Sequence, residues 1–308
     1  MRYLKIFYFI KPIIPRKIQI MIRQFLVSRR RKAVDTIWPI DRNILSPPEY
    51  FNGWPSTKKF AFLIMHDVET YKGLNKCKQL MKIDLDLSFQ SSFNFVPRRY
   101  IVNDSLRNML IDNGFEVGVH GLKHDGKLYN SYKTFSKRAI HINKYLRDWN
   151  AVGFRSPSMH HNLEWLHQLD VQYDSSTFDT DPFEPQSDGV RMIFPYWINY
   201  KISEKGYIEL PYTMPQDFTL FILMKEKTID IWIEKLDWLV EKGGMVLVGV
   251  HPDYLNFGTK KMRYDEYPVQ LYRDLLLYVK KKYRNQYWNP LPRVLADFWK
   301  RNVLDIKH

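Results

Sequence analysis

Two histidines four apart, His120 and His124, close the segment Val119-His120-Gly121-Leu122-Lys123-His124. In a turn or a first helical turn, an i, i+4 pair sets both imidazoles on one side of the backbone. Neutral imidazole is the commonest protein ligand for metals, and zinc that keeps one position open for water takes three protein ligands. An isolated H-x-x-x-H pair is more often two ordinary surface residues. Here it has company at other strand ends: His66-Asp67-Val68-Glu69, Arg155-Ser156-Pro157 and His251-Pro252-Asp253.

The elements that must position these residues read as apolar runs without alternation. Strands are expected at residues 60–65, 91–96, 115–119, 151–154, 171–173, 207–211 and 245–250. The first ends at His66, the third at His120, the fourth at Arg155 and the seventh at His251. Helical spacing of apolar residues predicts helices over 74–87, 134–149, 162–169 and 265–282, one capped by Asp104 through Asn113, and one capped by Thr228 and closed by Gly243-Gly244. Residues 179–205 read as irregular. Strands that are apolar on both faces suit a parallel sheet covered by helices. In a β/α barrel, active sites assemble past the carboxyl ends of the strands, where every polar cluster named above falls. The expected fold class is α/β, a seven-stranded β/α barrel.

The 308 residues suffice for one large domain or two small ones, and 45% hydrophobic content supplies a substantial core. A single cysteine, Cys77, excludes an intrachain disulfide. The net charge of +14 favours anionic partners. Residues 1–34 carry ten Lys or Arg and no acid. Lys5 and Lys11 interrupt the apolar run that a signal peptide needs, and no stretch approaches the roughly 18 apolar residues of a membrane span. After Pro15, the spacing of Ile18, Met21, Ile22, Leu26 and Val27 predicts a basic amphipathic helix, either lying on an anionic membrane or packed on the domain. Residues 35–57 read as a Pro-rich connector. The expected organisation is a basic segment and linker at 1–57, a barrel at 58–284 and an extension packed on it at 285–308. The expected location is cytoplasmic, peripheral on the inner face of the membrane. No nucleic-acid fold signature is present, so nucleic acid is not an expected partner.

Over residues 58–284 the chain resembles the NodB-type polysaccharide deacetylases, carbohydrate esterases on a distorted seven-stranded β/α barrel. The resemblance rests on His120 and His124, which match the family's metal pair. It rests also on Arg155-Ser156-Pro157, similar to its R-x-P motif, and on 248–251 (Val-Gly-Val-His), similar to its late histidine motif. Residues 173–186 resemble a segment of deacetylases linked to surface-polysaccharide biosynthesis. The resemblance implies hydrolysis of an acetyl amide or ester on a sugar, with one divalent metal, zinc by default and cobalt, nickel or manganese as alternatives. It implies His120, His124 and Glu69 as metal ligands, Asp67 as base, Arg155 supporting the base, and His251 as acid. The first motif departs from the family's adjacent aspartates: Asp67 and Glu69 are separated by Val68. An i, i+2 pair shares a face of an extended chain, so both can enter one pocket, and the two roles are open to exchange.

Each residue also has a structural alternative. The less favoured readings are Asp67 as a cap, Arg155 as an ion-pair partner and His251 as a packing residue. His66 is a pocket group or a strand-edge residue, His160 and His161 read as solvated, and Asp181 and Asp253 line a groove or cap helices. Tyr196, Trp197 and Tyr254 stack on sugars or pack. The rival functions are a hydrolase of small cyclic amides on the same scaffold and a glycan-binding protein without chemistry.

Overall fold

The computed structural model describes residues 14–199, 206–258 and 261–304. Seven parallel strands form its centre: β1 (Phe60–Val68), β2 (Ser92–Phe95), β3 (Glu116–His120), β4 (Gly153–Arg155), β5 (Tyr173–Asp174), β7 (Gly206–Glu209) and β8 (Met245–Val250). They correspond to the seven apolar runs. Between β5 and β7 the expected irregular section contains one further strand, β6 (Tyr196–Asn199), antiparallel to β7.

β1 organises the sheet. Its start pairs with β11 (Tyr287–Trp288), its end with β2, and most of its length with β8, from Ala61↔Met245 to His66↔Val250. Pairing then runs β2–β3–β4–β5–β7, giving a curled sheet. Thr213 and Met214, just past β7, complete the turn towards β8. Met214 N–H donates to the Leu247 carbonyl at 3.2 Å, and Leu247 N–H to Thr213 Oγ1 at 2.9 Å. A small separate pair joins β9 (Leu255–Asn256) to β10 (Tyr267–Pro268).

The outer layer comprises α2 (Tyr71–Leu74), α3 (Cys77–Asp86), α4 (Asp104–Asp112), α5 (Tyr132–Asp148), α6 (Leu163–Leu166), α7 (Asp230–Glu241) and α8 (Val269–Lys282). Their apolar stripes face the sheet: Phe135, Ala139, Ile142 and Leu146 of α5 are all buried. Two expected caps move. Asn103, not Asp104, occupies the cap position of α4, and Asp104 pairs instead with Arg107 in its first turn. Ile229 precedes α7, and Thr228 reaches Asp230 by its hydroxyl.

The connector and the carboxyl-terminal extension are parts of the core. Phe51 and Trp54 from the connector meet Trp299 of α9 (Pro292–Trp299), with ring centroids 5.1 and 5.8 Å away. Trp54 Nε1 donates to the Gly243 carbonyl at 2.8 Å, at the entry to β8. Residues 305–308 of the expected extension and 1–13 of the expected amphipathic segment lie outside the described residues. The remainder of that segment is α1 (Arg16–Arg31), which packs one face on the turn Phe218–Leu223. Among the described residues no helix is long and apolar enough to cross a membrane.

His66 belongs to this framework. Side chains alternate along a strand, so His66 points away from Asp67. Its Nε2 meets Asp84 Oδ2 of α3 at 2.8 Å, and Asp84 also accepts from Ser91 Oγ at 2.8 Å and Tyr272 OH at 2.7 Å. Asp84 thereby ties β1, α3 and α8 in a buried polar cluster. Asp84→Ala leaves three buried partners unpaired and is expected to destabilise the fold by about 3–5 kcal/mol. Urea denaturation measures this, and a loss under 1 kcal/mol refutes the bracing role.

Candidate active site

Past the carboxyl ends of β1, β3, β4 and β8 the polar clusters converge. Among the described residues, one group of His, Cys, Asp and Glu brings three ligand atoms together. Glu69, His120 and His124 lie with these atoms within 4.8 Å of one another. His120 ends β3 and is buried. Its Nδ1 lies 3.0 Å from the Arg155 carbonyl oxygen, which can only accept, so Nδ1 carries the proton and Nε2 keeps its lone pair. Burial, against the pull of Asp67, lowers the His120 pKa to about 4, so the ring is neutral near pH 7. Gly121, at φ +63, turns the chain, and His124 itself sits at φ +53. That left-handed backbone is uncommon for a side chain other than Gly or Asn and points to a conformation held by its surroundings.

Glu69 lies 3.1 Å from His124 Nε2 through Oε1, and its Oε2 accepts from Tyr254 OH at 2.6 Å. Burial disfavours the carboxylate, but His124, His251 and the Tyr254 hydroxyl outweigh it and hold the Glu69 pKa well below the usual range. Asp253 fixes the turn beneath it. It accepts from Glu69 N–H at 2.8 Å and from the Thr70 hydroxyl. Gly73 is required there, because a Cβ would stand 2.2 Å from Asp253 Oδ2.

Asp67 stands apart from the Glu69–His124 contact. Its Oδ2 accepts from Arg155 Nε at 2.6 Å, its Oδ1 from Asn94 Nδ2 at 3.0 Å, and His251 Nε2 lies 4.0 Å away. Burial opposes its ionisation, and Arg155, His120 and His251 overcome that, leaving Asp67 far below the usual carboxylate range. Arg155 is fully enclosed and anchored by Nη1 on the Ser175 carbonyl and hydroxyl, at 2.9 and 2.7 Å. Asn94 reaches Asp67 because residue 118 is glycine; a Cβ there would stand 2.2 Å from Asn94 Oδ1.

His251 completes the set. Its Nδ1 meets Asp217 Oδ1 at 2.6 Å, and its own N–H donates to Asp217 Oδ2 at 2.8 Å. Burial disfavours its charge, but Asp217 dominates with Glu69 and Asp67 behind it, raising the pKa to about 10. At neutral pH His251 is an imidazolium with a proton on each nitrogen.

The structure thus brings Asp67, Glu69, His120, His124, Arg155 and His251 into one mouth. His66 lies outside it. His161 is not solvated: its Nδ1 lies 2.9 Å from the Met159 carbonyl, and Gln186 Nε2 is 3.3 Å from its Nε2. Asp181 accepts from Tyr212 OH at 2.8 Å, with Glu184 on the same hydroxyl at 3.1 Å. Three residues of the site were not anticipated: Asp217, Asn94 and Ser175. Asn94 leaves a trace in the sequence, one amide inside the apolar run of β2.

Two imidazoles and one carboxylate, with one imidazole nitrogen left with its lone pair by its backbone partner, fit a divalent cation of the zinc type. The fold itself is that of the NodB-type deacetylase barrel. The structure is similar to PuuE allantoinase, at 15% identity and TM-score 0.64, over 84% of this chain and 95% of that one. It is similar also to a protein assigned as a polysaccharide deacetylase from Pseudomonas aeruginosa PAO1, at 15% identity and TM-score 0.63, over 83% and 95%. Another so assigned, from Mycobacterium smegmatis, gives 16% identity and TM-score 0.61, over 82% and 94%. At such identities the likeness is one of fold. No protein-family model and no curated protein sequence matches the chain.

Proposed function

We propose that this protein is a metal-dependent hydrolase that removes an acetyl group from a sugar of a cell-surface polysaccharide or its biosynthetic intermediate. The observation that carries the reading is the division of labour at the mouth. Glu69, His120 and His124 face one another, while Asp67 and His251 are each held by a separate buried partner. A divalent cation on the first three supplies Lewis acidity towards a carbonyl oxygen and a water. Asp67, ionised and fixed by Arg155 and Asn94, takes a proton from the attacking water as its oxygen bonds to the acyl carbon. The bond from that carbon to the sugar nitrogen or oxygen then breaks. His251 gives its Nε2 proton to the leaving atom, and Asp217 keeps the ring oriented and charged while it waits. Tyr254 orients Glu69 through its hydroxyl.

The same residues serve ring opening of a small cyclic amide, and the likeness to an allantoinase fold favours keeping that reading second. The two part on products: deacetylation releases acetate, whereas ring opening releases no second molecule. Acetate release from N- or O-acetylated oligosaccharides supports the first reading. Ring opening of cyclic amides without acetate release from any acetylated sugar supports the second.

The acid role has a pH signature. A raised pKa means that the protonated form of His251 persists through neutrality and is lost as pH rises through about 10. Asp217→Asn removes the charge that sustains it, so the alkaline limb of kcat/KM is expected to move down by about 1–3 pH units. An unmoved limb in this variant contradicts the assignment of His251 as acid.

A further inference from the structure

α1 carries apolar side chains on two opposite faces. One face is committed to the barrel: Ile20 and Val27 are buried, Gln24 Nε2 donates to the Ile222 carbonyl at 2.8 Å, and Arg31 pairs with Glu226 at 2.5 Å. The other face presents Ile18, Met21, Ile22, Phe25 and Leu26, spaced by three and four so that they form one stripe. These five are exposed, from 38% for Ile22 to 58% for Leu26. Scattered exposed apolar residues are ordinary on a surface, but a contiguous stripe of five large ones marks an interaction site.

What borders the stripe selects its occupant. It runs on into Arg29, whose guanidinium lies 4.5 Å over the Phe25 ring. Residues 29–32 read Arg-Arg-Arg-Lys, and the chain has no Asp or Glu before Asp35. A second copy meeting this one stripe to stripe would offer no acid on its own α1 to pair with these cations. An apolar face flanked by cations matches a bilayer with anionic headgroups.

We propose that α1 docks this protein on an anionic lipid bilayer, with the exposed stripe entering the boundary between headgroups and acyl chains and Arg29, Arg30 and Lys32 reading the phosphates. The inner face of α1 meanwhile reaches the site: Arg16 donates to Tyr254 OH at 3.4 Å, and Arg23 lies 4.8 Å over Phe218, the neighbour of Asp217. With side chains a helix is about 10–12 Å across, so a helix lying in the interface holds the contacts of its inner face within about that distance of the lipid.

The test is co-sedimentation of the full chain with vesicles of phosphatidylcholine alone and of phosphatidylcholine mixed with phosphatidylglycerol. It reads lipid binding and not turnover, so it stands or falls apart from the hydrolase reading. The wild type is expected to bind the mixed vesicles, and more weakly as salt rises. The variant Met21→Ser, Phe25→Ser, Leu26→Ser is expected to lose about a hundredfold or more in partitioning with an unchanged melting temperature, because all three side chains are exposed. Arg29→Glu, Arg30→Glu is expected to lose about tenfold or more on the mixed vesicles and little on the neutral ones. Equal vesicle binding by the wild type and the triple-serine variant overturns the proposal. So does a wild type that ignores both vesicles and forms a dimer that the triple-serine variant converts to monomer.

Discussion

Asp67→Asn is expected to keep its metal and lose about 10²–10⁴ in kcat, the contribution of a positioned general base. The change is nearly isosteric, but an amide has a single oxygen, so only one of Arg155 and Asn94 keeps an acceptor at residue 67. What disappears is the basicity and the charge. Arg155 is fully enclosed and its closest carboxylate oxygen is Asp67 Oδ2, at 2.6 Å. The variant should therefore also lose about 3–5 kcal/mol of stability, the usual cost of breaking a buried ion pair. The two effects separate experimentally, because kcat is measured below the melting range and unfolding by denaturant. Turnover within about tenfold of wild type would remove Asp67 as base. Loss of metal in this variant with retention in Glu69→Gln would mean that the two carboxylates exchange roles.

Glu69→Gln is expected to do the opposite. The carboxylate is the one acid among the three converging ligands, and its other oxygen is held by Tyr254. Even partners one step removed from a metal are worth about 10–100-fold in affinity, so loss of the ligand itself should cost more than about a hundredfold. Activity should fall with the metal and return in part when metal is added in excess. Addition of metal should do nothing for Asp67→Asn. Titration with zinc, followed by acetate release at each concentration, measures both. A Glu69→Gln protein with wild-type affinity would exclude Glu69 from the ligand set.

Why some of this was legible in the sequence and some was not has physical reasons. The seven parallel strands announce themselves because sheets covered on both faces select unbroken apolar runs, as at residues 60–65 and Met245–Val250. β6 does not, because Tyr196, Trp197 and Ile198 are only half-buried and sit among prolines and glycines. Helix caps shift by one or two residues because the cap is chosen by backbone dihedrals. Asn103 is extended at φ −67, ψ 145, and Asp104 is already helical. The alternation of a strand also separates His66 from Asp67: the first faces α3 and the second the mouth.

The residues that could not be read are those whose role is to hold another. Asp217 caps the single helical turn Phe218–Leu223 after β7, too short to show a period in the sequence, yet it meets His251 through two hydrogen bonds. Ser175 was visible only as part of a polar run and proves to anchor Arg155. The resemblance carried ligands and acid–base groups; their supports come from tertiary contacts between residues 20 to 34 positions apart.

Hydrolysis is expected to depend on a metal site formed by Glu69, His120 and His124. Metal content of the purified wild type, measured beside His120→Ala, His124→Ala, tests it most directly. The account predicts about one equivalent of divalent metal per wild-type chain, absent from the double variant, with acetate release lost in parallel. A wild type that is purified without metal and fails to take up zinc, cobalt, nickel or manganese would contradict it.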